Sequence, residues 1–390
     1  MKIKKMFVLL LAALMLCSLA ACQKGKTNEN GSNLDWVWVR ERRSHGAFGE
    51  TGYYYTNRST LYYADFAANA SVVLCNTVGC GHDSEECDAY LPSNSIYPLL
   101  YWDERIYYFD LFEPVLYSRN STGLDLKKIG TAGSKYIEKK RAIEIGSYVI
   151  ADGYLYYEVD VSDNIVMDDG VQTTRLILQG VGRINLSTGK DEMLIEEKVV
   201  KQGESKIGLS AVRNDALLIS YSTGLAVDRD DPNFLTELAN AKFYLVHWDI
   251  ETGESTTVLE KTIRECSGIQ MVSGGKVYYK THSSVDAEDR GYMYSYDLNT
   301  GKTETACNRN MQWLLGGSYV QCYDPTTRER TIYDMNTGKV LPYELDSSIM
   351  VVNIADSGFV MSTGKDYYFV AQEGLADGLQ EKDLQYLYTF

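Results

Sequence analysis

The sequence predicts an all-β fold, a β-propeller of seven blades with four antiparallel strands each. Two repeated phrases and the composition carry this expectation. The first phrase is a strand of β-branched and aromatic residues running into a tight turn, clearest in Met293-Tyr294-Ser295-Tyr296-Asp297-Leu298-Asn299-Thr300-Gly301-Lys302. Close copies end in Asn185-Leu186-Ser187-Thr188-Gly189-Lys190, Asp249-Ile250-Glu251-Thr252-Gly253-Glu254 and Asp334-Met335-Asn336-Thr337-Gly338-Lys339. In each, the leading Asp or Asn can accept hydrogen bonds from backbone just ahead, and glycine supplies the left-handed conformation of the turn. Looser copies are Ser121-Thr122-Gly123 and Asp65-Phe66-Ala67-Ala68-Asn69, where Asn stands for glycine because it tolerates positive φ.

The second phrase is a turn followed by an aromatic strand: Gly52-Tyr53-Tyr54-Tyr55, Glu104-Arg105-Ile106-Tyr107-Tyr108, Gly153-Tyr154-Leu155-Tyr156-Tyr157 and Gly275-Lys276-Val277-Tyr278-Tyr279. Asp215-Ala216-Leu217-Leu218, Gly317-Ser318-Tyr319-Val320 and Gly358-Phe359-Val360-Met361 extend the series to seven units. Their spacing meets or exceeds the roughly 40–50 residues that a four-stranded blade requires. Six or eight blades also fit, because the outer strands are hard to count. The 31 tyrosines and 32 glycines, against six prolines, suit many hairpins and few helices. No segment has the pattern of a long amphipathic helix.

In chain order, residues 1–21 have the form of a secretory signal. Lys2, Lys4 and Lys5 precede the apolar run Met6–Ala21, which is short for a membrane span. Leu19-Ala20-Ala21-Cys22 closes it with small residues ahead of a thiol suited to acylation, so Cys22 is the expected lipidation site. Residues 22–33 lack apolar side chains and form the expected flexible tether. Residues 34–390 are the propeller. The formal charge is −15, and loss of the three leader lysines makes the mature chain more acidic still. With no basic cluster interleaved with aromatics, this excludes nucleic acid as a partner.

Asp35–Arg40 is apolar on both faces and is expected either as the innermost strand of the first blade or as the strand completing the last. The two chain ends are then expected on neighbouring blades. Three insertions interrupt the spacing: Asn76–Asn94, Val161–Gln172 and Gly224–Lys242. All three should leave from one rim, the candidate binding face, because loops on a rigid scaffold are where binding usually resides.

The sharpest chemical cluster is Cys75, Cys80, His82 and Cys87. Three thiols and one imidazole suit tetrahedral zinc in a closed, structural site. The competing reading is a disulfide within the cluster, as exported proteins meet oxidising surroundings. Cys266 and Cys307 fall at equivalent places ahead of consecutive blades, and a disulfide between them is conceivable, whereas Cys322 belongs in a core strand. Gly301-Lys302-Thr303 imitates a phosphate loop but lacks its first glycine and its helix. The stretch 228–233 is oxygen-rich, yet lacks the glycine and distal glutamate of a calcium loop. Asp168-Asp169-Gly170 is expected as a turn. His45, His82, His247 and His282 are scattered, and no nucleophile motif accompanies them. The Tyr-Tyr strands are expected as packing between blades.

With Leu19–Cys22, the polar tether, the D-x-x-T-G-K turns and the Cys75–Tyr90 cluster, the sequence resembles the lipid-anchored β-propeller lipoproteins of Gram-positive bacteria. The resemblance implies a protein held at the cell membrane by its lipid and facing the extracellular side. It implies little about activity. Two functions stay open: a non-catalytic binding or scaffold module for a glycan, peptide or protein, and an extracellular carbohydrate-active glycosidase or lyase with paired carboxylates at the axial mouth.

Overall fold

Strands whose alternate residues are apolar on both sides must be covered on both sides, and the computed structural model shows how this chain achieves it. It describes residues 36–39, 46–91, 98–110, 113–166, 172–199, 205–223, 231–282, 288–346, 348–355 and 357–389. Seven antiparallel sheets follow one another along the chain. Blade I comprises β2 (Ala47–Phe48), β3 (Gly52–Asn57), β4 (Thr60–Asp65) and β5 (Ala70–Val73). Blade II comprises β6 (Leu100–Trp102), β7 (Arg105–Phe109), β8 (Val115–Asn120) and β9 (Lys127–Thr131). Blade III has the long strands β10 (Ala142–Ala151), β11 (Tyr154–Val166), β12 (Gln172–Asn185) and β13 (Asp191–Lys198). Blade IV has β14 (Ser205–Arg213), β15 (Ala216–Thr223), β16 (Lys242–Asp249) and β17 (Ser255–Thr262). Blade V is β18 (Ile269–Ser273), β19 (Lys276–Lys280), β20 (Met293–Asp297) and β21 (Thr303–Cys307). Blade VI is β22 (Met311–Gly316), β23 (Tyr319–Tyr323), β24 (Arg330–Asp334) and β25 (Val340–Pro342). Blade VII is β26 (Met350–Ile354), β27 (Gly358–Ser362), β28 (Asp366–Ala371) and β29 (Gln385–Thr389). Seven blades of four strands are thus present.

The tyrosine strands work as the alternation predicts. On β3, Tyr54 packs with Ile106 and Tyr108 of blade II, while Tyr53 and Tyr55 pack with Val360, Phe369 and Tyr388 of blade VII. The same division recurs around the ring, and each seam between neighbouring blades holds its own hydrophobic cluster. Every turn of the D-x-x-T-G type has the expected geometry. Asp249 Oδ1 accepts from the Thr252 N–H at 2.7 Å and Asp297 Oδ1 from the Thr300 N–H at 2.8 Å. These bonds hold both carboxyls below the ordinary carboxylate range. Gly189 has φ +71°, and a Cβ there would meet the Ile129 carbonyl oxygen of blade II at 2.0 Å, so conformation and packing both require glycine. Asn69 takes the glycine role in blade I at φ +50°.

The structure corrects the placement of the first apolar segment. Trp36–Val39 belongs to neither blade I nor blade VII; β1 (Val37–Trp38) adds a fifth strand to the inner edge of blade IV, antiparallel to β14. Its two apolar faces are explained by that position: Trp36 packs into the seam of blades IV and V, and Val39 into that of blades III and IV. The chain ends are therefore not on neighbouring blades. Blades I and VII close the ring through side chains instead, with Tyr55 stacked on Tyr388 at 3.5 Å and Phe66 on Phe369 at 3.9 Å between ring centroids. Asn353 Nδ2 also donates to the Gly46 carbonyl at 3.0 Å across this seam. The expected insertion Val161–Gln172 is also revised: Val161–Val166 and Gln172 are strand, extending the β11–β12 hairpin. Helix is limited among the described residues to short segments such as Ser134–Ile137 and Phe234–Asn240, none long and apolar enough to cross a membrane.

Closure by stacked rings without a shared sheet makes the blade VII–I seam sensitive to truncation. Phe369→Ala should lower the unfolding free energy by roughly 3–5 kcal/mol, seen as a lower urea midpoint. Val340→Ala, on an exposed outer strand, should leave the midpoint within error.

Candidate functional site

Two places on the ring concentrate chemistry. The first is the connection from β5 to β6, which leaves from the face carrying the second-to-third-strand connections. It is tied down at several points. Leu61 and Ala89 share a backbone hydrogen bond of 2.9 Å, the Leu91 N–H donates to the Ser59 carbonyl, and Thr60 Oγ1 donates to the His82 carbonyl at 3.1 Å. Arg119, buried in blade II, donates from Nη2 to the Tyr90 carbonyl at 2.9 Å and from Nη1 to the Asp88 carbonyl. Left-handed conformations at Gly79 and His82 fold the intervening chain back on itself.

This folding brings together all four residues singled out from the sequence. The thiol sulfurs of Cys75, Cys80 and Cys87 and a ring nitrogen of His82 lie within 4.8 Å of one another. The His82 Nδ1 to Cys87 Sγ distance is 3.3 Å. Tetrahedral ligands around zinc stand roughly 3.5–4 Å apart, given bonds of about 2.0–2.3 Å, so the group could hold a metal ion with little movement. All three cysteines are free thiols. Burial alone would raise the Cys75 thiol, but hydrogen bonds from Thr77, Cys87 and Cys80 outweigh it and bring it down to about 7. Burial pushes the Cys87 thiol up to about 11, against a backbone bond from Ala89. Asp83, Glu85 and Glu86 point to solvent around the cluster.

The second place is the axis, where no motif pointed. The inner strands of blades III to VII all carry at least one β-bulge, which leaves Gly146-Ser147, Ser210, Gln270, Gln312, Leu315 and Val352 as the extra residues. A bulge kinks the strand and re-aims a side chain. In blades III and IV the bulges are bound by Glu158, which accepts from the Ser147 N–H at 3.1 Å and from the Leu209 N–H. Burial pushes the Glu158 carboxyl up, opposed by those two bonds; it bolts two blades together. In blades V to VII the bulges open on a cavity of about 260 Å³ lined by Trp38, Gln270, Lys280, Gln312, Trp313 and Asn353 with neighbouring aliphatic residues. Among the described residues, no carboxylate lines it. Gln321, almost fully buried behind this wall, donates from Nε2 to Gln312 Oε1 at 3.4 Å, leaving its own Oε1 without a partner. That bond leaves the Gln312 amide NH2 as the end available to the cavity. Aligning the repeats on their turns could have found this site, since Gln270 and Gln312 stand at the same offset from Gly275 and Gly317.

Other sequence candidates do not converge. His247, on β16, meets Trp36 edge-on with centroids 5.9 Å apart, and Arg213 lies over the same indole. His282 follows β19, where burial lowers its pKa. His45, Cys22, Asp168-Asp169-Gly170 and 228–230 lie outside the described residues. Gly301-Lys302-Thr303 is a hairpin turn with Lys302 paired to Glu304 at 2.7 Å. Cys266 and Cys307 do not meet: Cys266 packs in the seam of blades IV and V and Cys307 in that of V and VI, on opposite faces of blade V.

In metal-stripped protein the thiols should react in a set order. Between pH 6 and 8 the rate of Cys75 alkylation by iodoacetamide should rise as its thiolate forms, while Cys87 stays protonated and slow. Peptide mass spectrometry after brief labelling measures this, and equal rates at all three sites would contradict the assigned electrostatics.

No family model matches the sequence, and no curated protein does. Among solved structures, the chain is similar to an oligogalacturonate lyase in complex with manganese, at 11% identity and a TM-score of 0.33, covering 78% of this chain and 89% of that one. It is similar to TolB from Acinetobacter baumannii, at 14% identity and a TM-score of 0.34, covering 83% and 77%. It is also similar to the Pyrococcus horikoshii acylaminoacyl peptidase, at 10% identity and a TM-score of 0.47, covering 93% of this chain but 54% of that one. Likeness of this degree carries no argument about ligand or reaction.

Proposed function

We propose that this chain is a surface-anchored, non-catalytic binding propeller whose ligand is a glycan seated at the axis. The observation that carries this reading is the axial cavity itself, with two indoles, three carboxamides and one ammonium in its walls and, among the described residues, no carboxylate. Indole faces cover the apolar face of a sugar ring, while carboxamides exchange hydrogen bonds with its hydroxyls. A glycosidase or lyase reading needs two acids across an open cleft. Here β1 runs along the inner edge of blade IV, and the buried Glu158 spends its oxygens on backbone N–H groups.

The path of β1 also supports an orientation on the membrane. Because β1 is antiparallel to β14, it begins on the face of the tight turns. Acylation of Cys22 would then hold the turn face towards the lipid. The face bearing the Cys75–Cys87 connection points outward. Zinc bound by Cys75, Cys80, His82 and Cys87 would be structural, with all four positions filled by protein. It would clamp that outward connection against blades I and II.

The soluble domain, with Cys22→Ser, should bind members of a glycan array, with saturable quenching of tryptophan fluorescence. Trp313→Ala and Gln312→Ala should each weaken binding at least about 10-fold, from lost stacking or hydrogen bonds worth about 1.5 kcal/mol or more. Binding untouched by both substitutions, or release of shortened sugars, would overturn the axial seat or the non-catalytic reading respectively. Zinc at one equivalent by mass spectrometry, lost on His82→Ala, checks the metal.

A further inference from the structure

We propose that Cys307 and Cys322 form a disulfide that staples blade V to blade VI. Cys307 ends β21, the outer strand of blade V, and Cys322 lies on β23, the second strand of blade VI. Their sulfurs are 3.6 Å apart, and both side chains are almost wholly buried. A disulfide bond is about 2.05 Å long, so the sulfurs need to approach by about 1.5 Å to close the gap. Buried cysteines often serve as small apolar fillers. Here, however, two of them meet face to face across a seam whose other members are chiefly methionine and aliphatic residues.

A cavity of about 340 Å³ on the seam is lined by Cys322 together with Arg290, Arg309 and Asn310. The pair is electronically uneven: the contact with Cys322 lowers the Cys307 pKa, while the same contact and burial push Cys322 up. With a small disulfide oxidant of the glutathione class, one cysteine sulfur bonds to an oxidant sulfur and expels the other as a thiol. The second cysteine sulfur then bonds to the first and expels the remaining oxidant half. Two electrons pass from the pair to the oxidant, the two cysteine protons end on the two released thiols, and one S–S bond remains in the protein. The staple closes a loop of about 16 residues, a size for which chain entropy favours the cross-linked form. It does not depend on the glycan, on zinc or on Cys22.

The test uses the full chain purified with reductant, desalted, and exposed while folded to oxidised glutathione. After alkylation and tryptic digestion without reduction, peptides 303–309 and 310–328 are separated by cleavage at Arg309, so a cross-link between them is unambiguous. The expected result is a species two hydrogens lighter than the sum of the two free peptides, replacing most of both. Oxidation should raise the melting temperature by roughly 3–6 °C. That rise should vanish with reductant, and Cys307→Ser, Cys322→Ser and the double variant should all lack it to the same extent. Recovery of both cysteines alkylated after denaturation of the oxidised sample would overturn the proposal, as would Cys307 or Cys322 linked to another cysteine. The peptide readout on unsubstituted protein decides even if a serine variant fails to fold.

Discussion

Each sheet in this protein is apolar on both faces, and no solvent-facing side is left to spare. A two-layer sandwich would cover one face of each sheet and leave the other wet. A ring covers both, because each blade is roof to one neighbour and floor to the next. The successive tyrosines of β3 show the constraint at the scale of single residues. Tyr54 is committed to blade II, and Tyr53 and Tyr55 to blade VII, so one strand takes part in two seams. Ring closure then follows from side chains, since Tyr388 and Phe369 meet Tyr55 and Phe66 as closely as any pair within a blade.

The same constraint explains where polar chemistry survives. Inside the seams there is little room for it, and two of the polar groups that do occur tie elements together: Arg119 holds the end of the cysteine connection, and Glu158 binds two bulged strands. Polar side chains collect where the packing rule breaks, at the bulges of the inner strands. There an extra polar residue turns to the axis, whereas Val352 packs against the blade VII–I seam. Gln270 and Gln312 are such residues, and Trp38 of β1 stands in the wall beside them. The axial strand and the bulges together convert what would be an open channel into a bounded cavity.

At the rim, the cysteine connection solves a different problem. A long segment between blades has few apolar residues of its own and cannot form a core. It is held by borrowed contacts, with Cys87, Ala89 and Leu91 entering the blade I–II seam and backbone bonds reaching Ser59 and Leu61. The convergence of three sulfurs and an imidazole adds a set of ligands at the point where the chain has least packing. Cys307 and Cys322, by contrast, face each other inside a well-packed seam, where a covalent link would hold blades that apolar contacts already align.

Much of the fold was legible in the residues. Asp or Asn ahead of a turn glycine, and paired tyrosines after a turn, are local signals, because turn geometry and side-chain alternation depend on neighbours in the chain. They determined the strand order within blades and the grouping of Cys75, Cys80, His82 and Cys87, whose spacing along the chain is short, while six, seven and eight blades all fitted until the sheets were counted. The sequence could not determine contacts made across the ring. Whether Trp36–Val39 joined blade I, blade VII or blade IV, whether Cys307 met Cys266 or Cys322, and which polar residues lined the axis were decided only by tertiary structure. Those outcomes depend on which face of a sheet a residue occupies and where a bulge shifts its register, and a single-residue shift in register sends a side chain to the opposite face.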